Sequence, residues 1–491
     1  MRIFLSLCFT LALACQASFA ADNSPPTGFK ALFNGKDFSG WHGAAQYDPV
    51  KLAGLPEADR TQLLKNWEED LAKHWKVVDG VIVNDGHGVY LTTDNSFTDY
   101  ELHVDYKMLP LGDSGLYLKN TPQVQIWDFT QTEDKLGPER ALGSGGLWNN
   151  SPGAPGKDPL VKADNPLGEW NSFRVIQLGA RTTVWLNGKL VVDNAIMENY
   201  FNRSLPLIKS GQLQLQTHGS EIQWKNLYVR EIGADEANQL LRKKSGKHFT
   251  TIFNGKDFTG WKGGVDGYEV VDGILKGKQG HGDVLFTEKE YSDFVVRLDF
   301  KLPPAGNNGL AIRYPGTGGA AYDGMCELQV LDSEHEKYKT IDPRQAHGSV
   351  YGMIPAARGY LRPTGEWNFE VVTVQGPKIT VELNGNVILK GDVSTVKEFM
   401  ADKPHPGKDR TSGHFGFAGH SDPVSFRSID IKELPDLQSD EPSADASQDG
   451  AAISGNCCPR PSYHYQSARE WRREYRRSIR GSHGIFRRRQ S

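Results

Sequence analysis

At 491 residues, 38% hydrophobic and 24% charged, the chain is long enough for two or three globular domains and too evenly mixed for a fibre or a wholly disordered chain. Its net charge of -4 selects no class of partner. The 53 Gly and 26 Pro, set between short runs rich in Val, Ile, Tyr and Trp, favour β-architecture over helices.

Residues 1–20, MRIFLSLCFTLALACQASFA, combine Arg2, an apolar run from Ile3 to Ala14 and the small-x-small triplet Ser18-Phe19-Ala20. That is the pattern of a secretory signal, and its apolar run is too short to cross a bilayer. The mature chain is therefore expected to be exported, periplasmic or extracellular. Lipoprotein anchoring through Cys15 is the lesser alternative, because Ala12 rather than Leu stands three residues before it. Of five cysteines, Cys8 and Cys15 lie in this segment, Cys326 stands alone and Cys457 and Cys458 lie near the end, so no disulfide framework is expected.

LFNGKDFSGW at Leu32–Trp41 returns as IFNGKDFTGW at Ile252–Trp261, with eight of ten positions identical at an offset of 220 residues. Asn-Gly requires positive backbone dihedrals, so each decapeptide reads as a tight turn leading into a strand. The copy continues: HWKVVDGVIV pairs with GYEVVDGILK, DSGLYLK with NNGLAIR, PQVQIWD with CELQVLD, GEWNSFRV with GEWNFEVV, and TVWLNGK with TVELNGN. Two domains, 29–232 and 249–434, follow from this pairing. Alternating strands between Gly, Asn, Asp and Pro turns make each an all-β sandwich. The first copy alone carries LPEADRTQLLKNWEEDLAKHW, where Leu63, Leu64, Trp67 and Leu71 recur at helical spacing after Pro56. Residues 233–248 read as a helical linker. Residues 435–491 begin polar and acidic, end rich in Arg, and are expected to be disordered.

FNGKDFSGW, DSGLYLK, PQVQIWD, GSGGLWNN, GEWN and LQTHGSEIQWKNLYVREI in the first copy resemble the 3-keto-disaccharide hydrolase family, and NNGLAIR, ELQVLD, HGSVYG, GEWN and FRSIDIKEL in the second resemble another branch of it. The resemblance implies tandem concanavalin A-like jelly-roll sandwiches. It also implies cleavage of 3-keto-glycosides by a lyase step and a hydratase step that sum to hydrolysis. A non-catalytic, lectin-like glycan-binding protein is the alternative from another class, because such sandwiches host both.

A conventional retaining glycosidase needs two carboxyl groups about 5 to 5.5 Å apart. Only the second copy offers them, as Glu327 and Asp332, since Glu327 is matched by Gln123 in the first. Elimination from a 3-keto sugar makes other demands: a base for the C2 proton, a donor at the enolate oxygen, and an acid for the leaving oxygen. Matched positions offer Lys119 and Arg313 as cations for the ketone oxygen, His218 and His420 as acids or bases, and Asp128 and Asp332 as second bases or histidine partners. Gln125 and Gln329 are candidates to orient hydroxyls, and Trp148 and Tyr351 to stack on a sugar face. His347, matched by Ser144, and Arg427, matched by Lys225, are binding candidates peculiar to the second copy.

The bland readings are a surface ion pair for Lys119 and Arg313, and turn-stabilising hydrogen bonds for the two histidines. No cofactor is required by the sequence, and Asp85, Asp113 and Asp283 do not form a metal-binding spacing. A divalent cation, calcium or a transition metal, is left open, because ligands from separate loops converge invisibly to sequence. The expected partner is an oligosaccharide or glycoside substrate. No nucleic acid is expected, and the oligomeric state is left open.

Overall fold

The computed structural model describes residues 24–133 and 135–435. The expected signal, the Cys15 anchor and all but the first residue of the expected disordered tail lie outside them. Each half builds one eight-stranded and one five-stranded antiparallel sheet with the same strand order in both halves. In the first half the five-stranded sheet runs, in space, Trp41–Ala44, Tyr90–Phe97, Gly211–Leu215, Asp113–Leu118, Thr121–Trp127. In the second it runs Trp261–Gly263, Val284–Tyr291, Gly413–Gly419, Asn307–Tyr314, Cys326–Leu331. The all-β, two-sandwich reading is therefore what the chain adopts.

Strand alternation divides the side chains. In Tyr100–Met108, Leu102, Val104, Tyr106 and Met108 are buried, and they meet Leu116, Leu118, Val124 and Ile126 of the five-stranded sheet in one core. The second core repeats this with Val296, Leu298, Phe300, Leu310, Ile312, Leu328 and Val330. Residues between these inward positions on the five-stranded sheets face outward and give each sandwich a second face.

The twin decapeptides fold alike. Asn34 Nδ2 donates to Asp37 Oδ1 at 2.7 Å and Asn254 Nδ2 to Asp257 Oδ1 at 2.7 Å. Gly35 and Gly255 take φ of +77° and +72°, which an L side chain adopts only under strain. Trp41 and Trp261 then drop into the two cores, their indole N–H groups bonded to the carbonyls of Leu32 and Ile252.

The helical insertion is present as Glu57–His74, preceded by a short helix Pro49–Ala53. It rests on the first sandwich through Trp67 and Leu71, while Leu63 is half-buried and Leu64 exposed. The helix Ala234–Lys244 leads into the second sandwich and packs on its strand Asn368–Gln375. There Ala237 and Leu241 join Leu178, Ile232 and Phe369 in an apolar cluster shared by both halves. Around it Ala180 N donates to Gly385 O at 3.1 Å, Arg181 grips Glu382 with two bonds, and Arg362 meets Asp99.

Candidate active site

On the outward face of each five-stranded sheet a histidine just past the end of the third strand in space leans on a carboxylate. In the second sandwich His420 Nε2 shares a hydrogen bond of 2.9 Å with Glu327 Oε1. In the first, His218 Nδ1 lies 3.6 Å from Asp113 Oδ2, and the two residues are bridged through their backbones. The carboxylates come from different strands. The residue matched to Asp113 is Asn307, and the residue matched to Glu327 is Gln123, so each copy keeps one acid and turns the other into its amide.

Amides extend both constellations. Gln125 Nε2 donates to Asp113 Oδ1 at 2.8 Å, Gln123 donates to Gln125 Oε1, and Asn149 Nδ2 reaches Gln123 Oε1 at 3.4 Å. Gln329 Nε2 donates to Asn307 Oδ1 at 2.6 Å. On these faces one amide oxygen of each copy, Gln216 Oε1 and Gln329 Oε1, is buried without a hydrogen-bond partner among the described residues. A buried polar atom in that condition calls for a partner, and water or a ligand can supply it. Aromatic rings stand beside both pairs. Trp148 is half-buried, edge-on to Trp127 at 4.9 Å with the Lys157 ammonium 3.8 Å over it. Tyr351, half-buried, donates its backbone N–H to Glu327 O at 2.9 Å and lies 6.4 Å from the Tyr322 ring.

A glycine in the neighbouring strand makes the room. A Cβ on Gly309 would lie 2.1 Å from Glu327 Oε1, and one on Gly115 would lie 2.9 Å from Gln216 Oε1. Glycine inside a strand commonly marks such close approach. Burial raises the Asp113 carboxyl above its ordinary range, against the opposing pull of His218. The hydrogen bond to Glu327 raises His420.

The sheet floors differ. Outward positions Tyr90, Thr92, Tyr117, Gln214 and Gln216 of the first copy are matched by Val284, Phe286, Ala311, Gly416 and Ala418 of the second. Segment Tyr314–Gly324, absent from the first copy where Lys119 and Asn120 turn directly, folds Tyr314 and Ala320 onto this apolar floor.

Other sequence-derived candidates lie elsewhere, and local forces explain each placement. Lys119 and Arg313 are buried and leave the strand face because they take φ of +53° and +47°. Lys119 Nζ donates to Gly179 O at 2.8 Å, and Arg313 pairs with Asp293 at 2.8 Å and caps the Gly376 and Arg410 carbonyls. They are neither cations at the cleft nor a surface ion pair. Asp128 and Asp332 are turn locks: they accept the backbone N–H of Leu111 at 2.8 Å and Ala305 at 3.0 Å. His347 sits between the sheets, Nε2 3.5 Å from Glu370 Oε2 and its ring 4.9 Å from Phe300. Arg427 belongs to the eight-stranded sheet, where it bonds Asp299 and Asp235 and stacks 4.1 Å from Trp367. Asp113, Gln123, Asn149 and Gln216 are members of this constellation that sequence reasoning missed. The reciprocal acid-amide exchange at 113/307 and 123/327 was the available signal for the first two.

Among the described residues no cluster of three or more His, Cys, Asp or Glu side chains could hold a metal ion, and no helix is long and apolar enough to cross a membrane.

Two candidate glycosyl hydrolases from Parabacteroides distasonis, known from crystal structures, are 25% and 27% identical to this chain. Each covers 38% of it, the matches span 100% and 94% of those chains, and the TM-scores are 0.35 and 0.34. A 3-keto-disaccharide hydrolase of Bacteroides thetaiotaomicron is 26% identical over 268 residues, which is 46% of this chain and 91% of that protein. The 3-keto-alpha-glucoside-1,2-lyase-like domain matches twice, over residues 28–230 and 248–432, one match to each sandwich, and the chain belongs to that family.

Proposed function

We propose that this chain cleaves 3-keto-glycosides by elimination and hydration, with one site on the outward face of each five-stranded sheet. Family membership makes it a carbohydrate-active protein of the 3-keto-disaccharide hydrolase type. The observation that carries the mechanism is the recurrent histidine-carboxylate pair, His218 with Asp113 and His420 with Glu327.

A ketone at C3 acidifies the C2 proton. The imidazole takes that proton, and the electron pair of the C2–H bond becomes the enolate. The enolate re-forms the ketone and makes the C1–C2 double bond as the C1–O bond breaks, its electrons leaving with the aglycone oxygen, which takes the proton from the imidazolium. Water then adds to the enone across the same two carbons. The carboxylate orients the imidazole and stabilises its protonated form. With Lys119 and Arg313 removed from the cleft, the enolate oxygen falls to neutral donors, the Asn149 amide in the first copy and the Tyr351 phenol in the second. Gln216 Oε1 and Gln329 Oε1 accept sugar hydroxyls. Export is part of the same proposal and rests on residues 1–20.

The test uses the full chain with His218→Ala, His420→Ala or both, on a 3-keto-glucoside and on its unoxidised parent. Turnover of the keto sugar alone, lost in the double variant, supports the reading. Binding without product marks a lectin, and cleavage of the parent marks a conventional glycosidase. Against the last stands Asp332, whose carboxylate is occupied in locking its turn.

A further inference from the structure

The duplication gives every surface of the first sandwich a counterpart in the second, and the outer faces of the two eight-stranded sheets have opposite fates. In the second sandwich that face is sealed. Asp430 and Asp299 receive Arg242 of the helix Ala234–Lys244, Arg297 donates to Arg242 O, Phe369 packs under Leu241, and Glu382 holds Arg181 of the first sandwich. In the first sandwich the matched positions are Tyr228, Asp105, His103, Ser172 and Trp185, and they line an open cavity of about 440 Å³.

Its lining is organised rather than incidental. Asp105 accepts from Ser172 Oγ at 2.5 Å and from Asn226 Nδ2 at 2.6 Å, and Tyr228 OH donates to Asn226 Oδ1 at 3.1 Å. The Arg174 guanidinium lies 4.5 Å from the Trp185 ring centre and is held there by Glu101 at 2.6 Å. Glu101 is itself buried and also takes His103 and Arg230. A half-exposed indole, a carboxylate, a carboxamide, hydroxyls and a guanidinium thus converge on one concavity, with every polar group oriented by a neighbour. The volume falls within the range of about 300 to 1,000 Å³ typical of small-ligand sites. Alternating donors and acceptors around an aromatic ring suit a polyhydroxylated ring with an apolar C–H face. They do not suit an anion, because Asp105 faces the same space as Arg174.

We infer that the outer face of the first sandwich's eight-stranded sheet is a second carbohydrate-binding site, taking a neutral sugar unit on Trp185 between Asp105, Asn226 and Arg174. It is separate from the His218 and His420 clefts, and it stands whether or not those clefts cleave 3-keto sugars.

Isothermal titration of the full-length chain carrying His218→Ala and His420→Ala, with maltopentaose and with cellopentaose as probes, tests it. One of the two is expected to bind, with affinity falling at least about 10-fold on Trp185→Ala. Asn226→Ala should weaken it similarly, and Trp185→Tyr should restore most of it. In the chain with both histidines intact, Trp185→Ala should leave 3-keto-glucoside turnover unchanged. No heat with either probe at about 10 mM overturns the proposal, as does binding indifferent to both Trp185 and Asn226. A concentration-dependent dimer abolished by Trp185→Ala would overturn it in favour of a protein interface.

Discussion

His420 Nε2 and Glu327 Oε1 lie 2.9 Å apart on neighbouring parts of one sheet face, with the carboxylate buried and the imidazole partly open to solvent. Such a pair holds a proton on the imidazole more tightly than water does, which is why His420 is raised.

Glu327→Gln should therefore lower the His420 pKa and move the acid limb of the second site's pH profile downward. It should also reduce turnover by about 10- to 100-fold in a chain carrying His218→Ala, measured as kcat against pH. The sign for stability follows from the same shift. The folded pKa lies above the unfolded one, so the pair stabilises fully below pH 6.5 and the contribution fades as pH rises through the folded value. Glu327→Gln removes that dependence.

Gly309→Ala should separate catalysis from folding. The added methyl would meet Glu327 Oε1 at 2.1 Å and Cγ at 2.4 Å, so the carboxylate must swing away from His420. Turnover at the second site is expected to fall at least about 10-fold while the loss of stability stays within the 1 to 3 kcal/mol common for overpacking. Urea denaturation alongside kcat distinguishes the two; unchanged turnover would remove Glu327 from the mechanism.

Glu370 and His347 make a buried pair where the first sandwich has Phe173 and Ser144. Burial pushes Glu370 up to about 8 and His347 down to about 3, so both are neutral between these values. From pH 3 to 4.5 the neutral histidine makes stability rise with pH. From 4.5 to 6.5 the two slopes oppose and cancel. From 6.5 to 8 the protonated Glu370 makes stability fall, by about 1.4 kcal/mol per pH unit at most. Exchanging both for the first copy's residues, His347→Ser with Glu370→Phe, should flatten the urea midpoint over the last window. A midpoint that still falls there would refute the neutral pair.

Lys119→Met tests whether that lysine is structural. Burial lowers its ammonium to about 8, so between pH 8 and 10.5 the unfolded chain binds the extra proton and stability climbs with pH. The substitution should abolish that climb and leave turnover per folded molecule within about twofold, since its ammonium bonds Gly179 O, away from the cleft. A fall of about 100-fold would return Lys119 to the cleft.

These residues also show what could be read without coordinates. The sandwiches, the insertion helix and the Asn-Gly turns follow from alternation, helical spacing and turn chemistry, all of which are local. His218 and His420 stand out in the sequence because both copies repeat them. Repetition also marked Lys119, Arg313, Asp128 and Asp332, which recur for folding reasons: two turn inward at positive φ, and two lock turns. Asp113 escaped because the acid crosses between strands from one copy to the other, so position-by-position matching cancels it. His347 and Arg427 were misplaced because sequence period cannot say which of two sheets, or which side of one, a polar residue will meet.

The cluster of Leu178, Ile232, Ala237, Leu241 and Phe369 has a practical meaning for anyone dissecting this gene. A cut in the linker near Gly246 would leave the helix on one product and strip Phe369 bare on the other, while Arg181 and Glu382 would each lose its counter-charge. Two halves expressed apart would carry sticky wounds rather than native surfaces, and their silence in an assay would say nothing about their sites. Within the intact chain, point mutation of one histidine at a time is the cleaner scalpel.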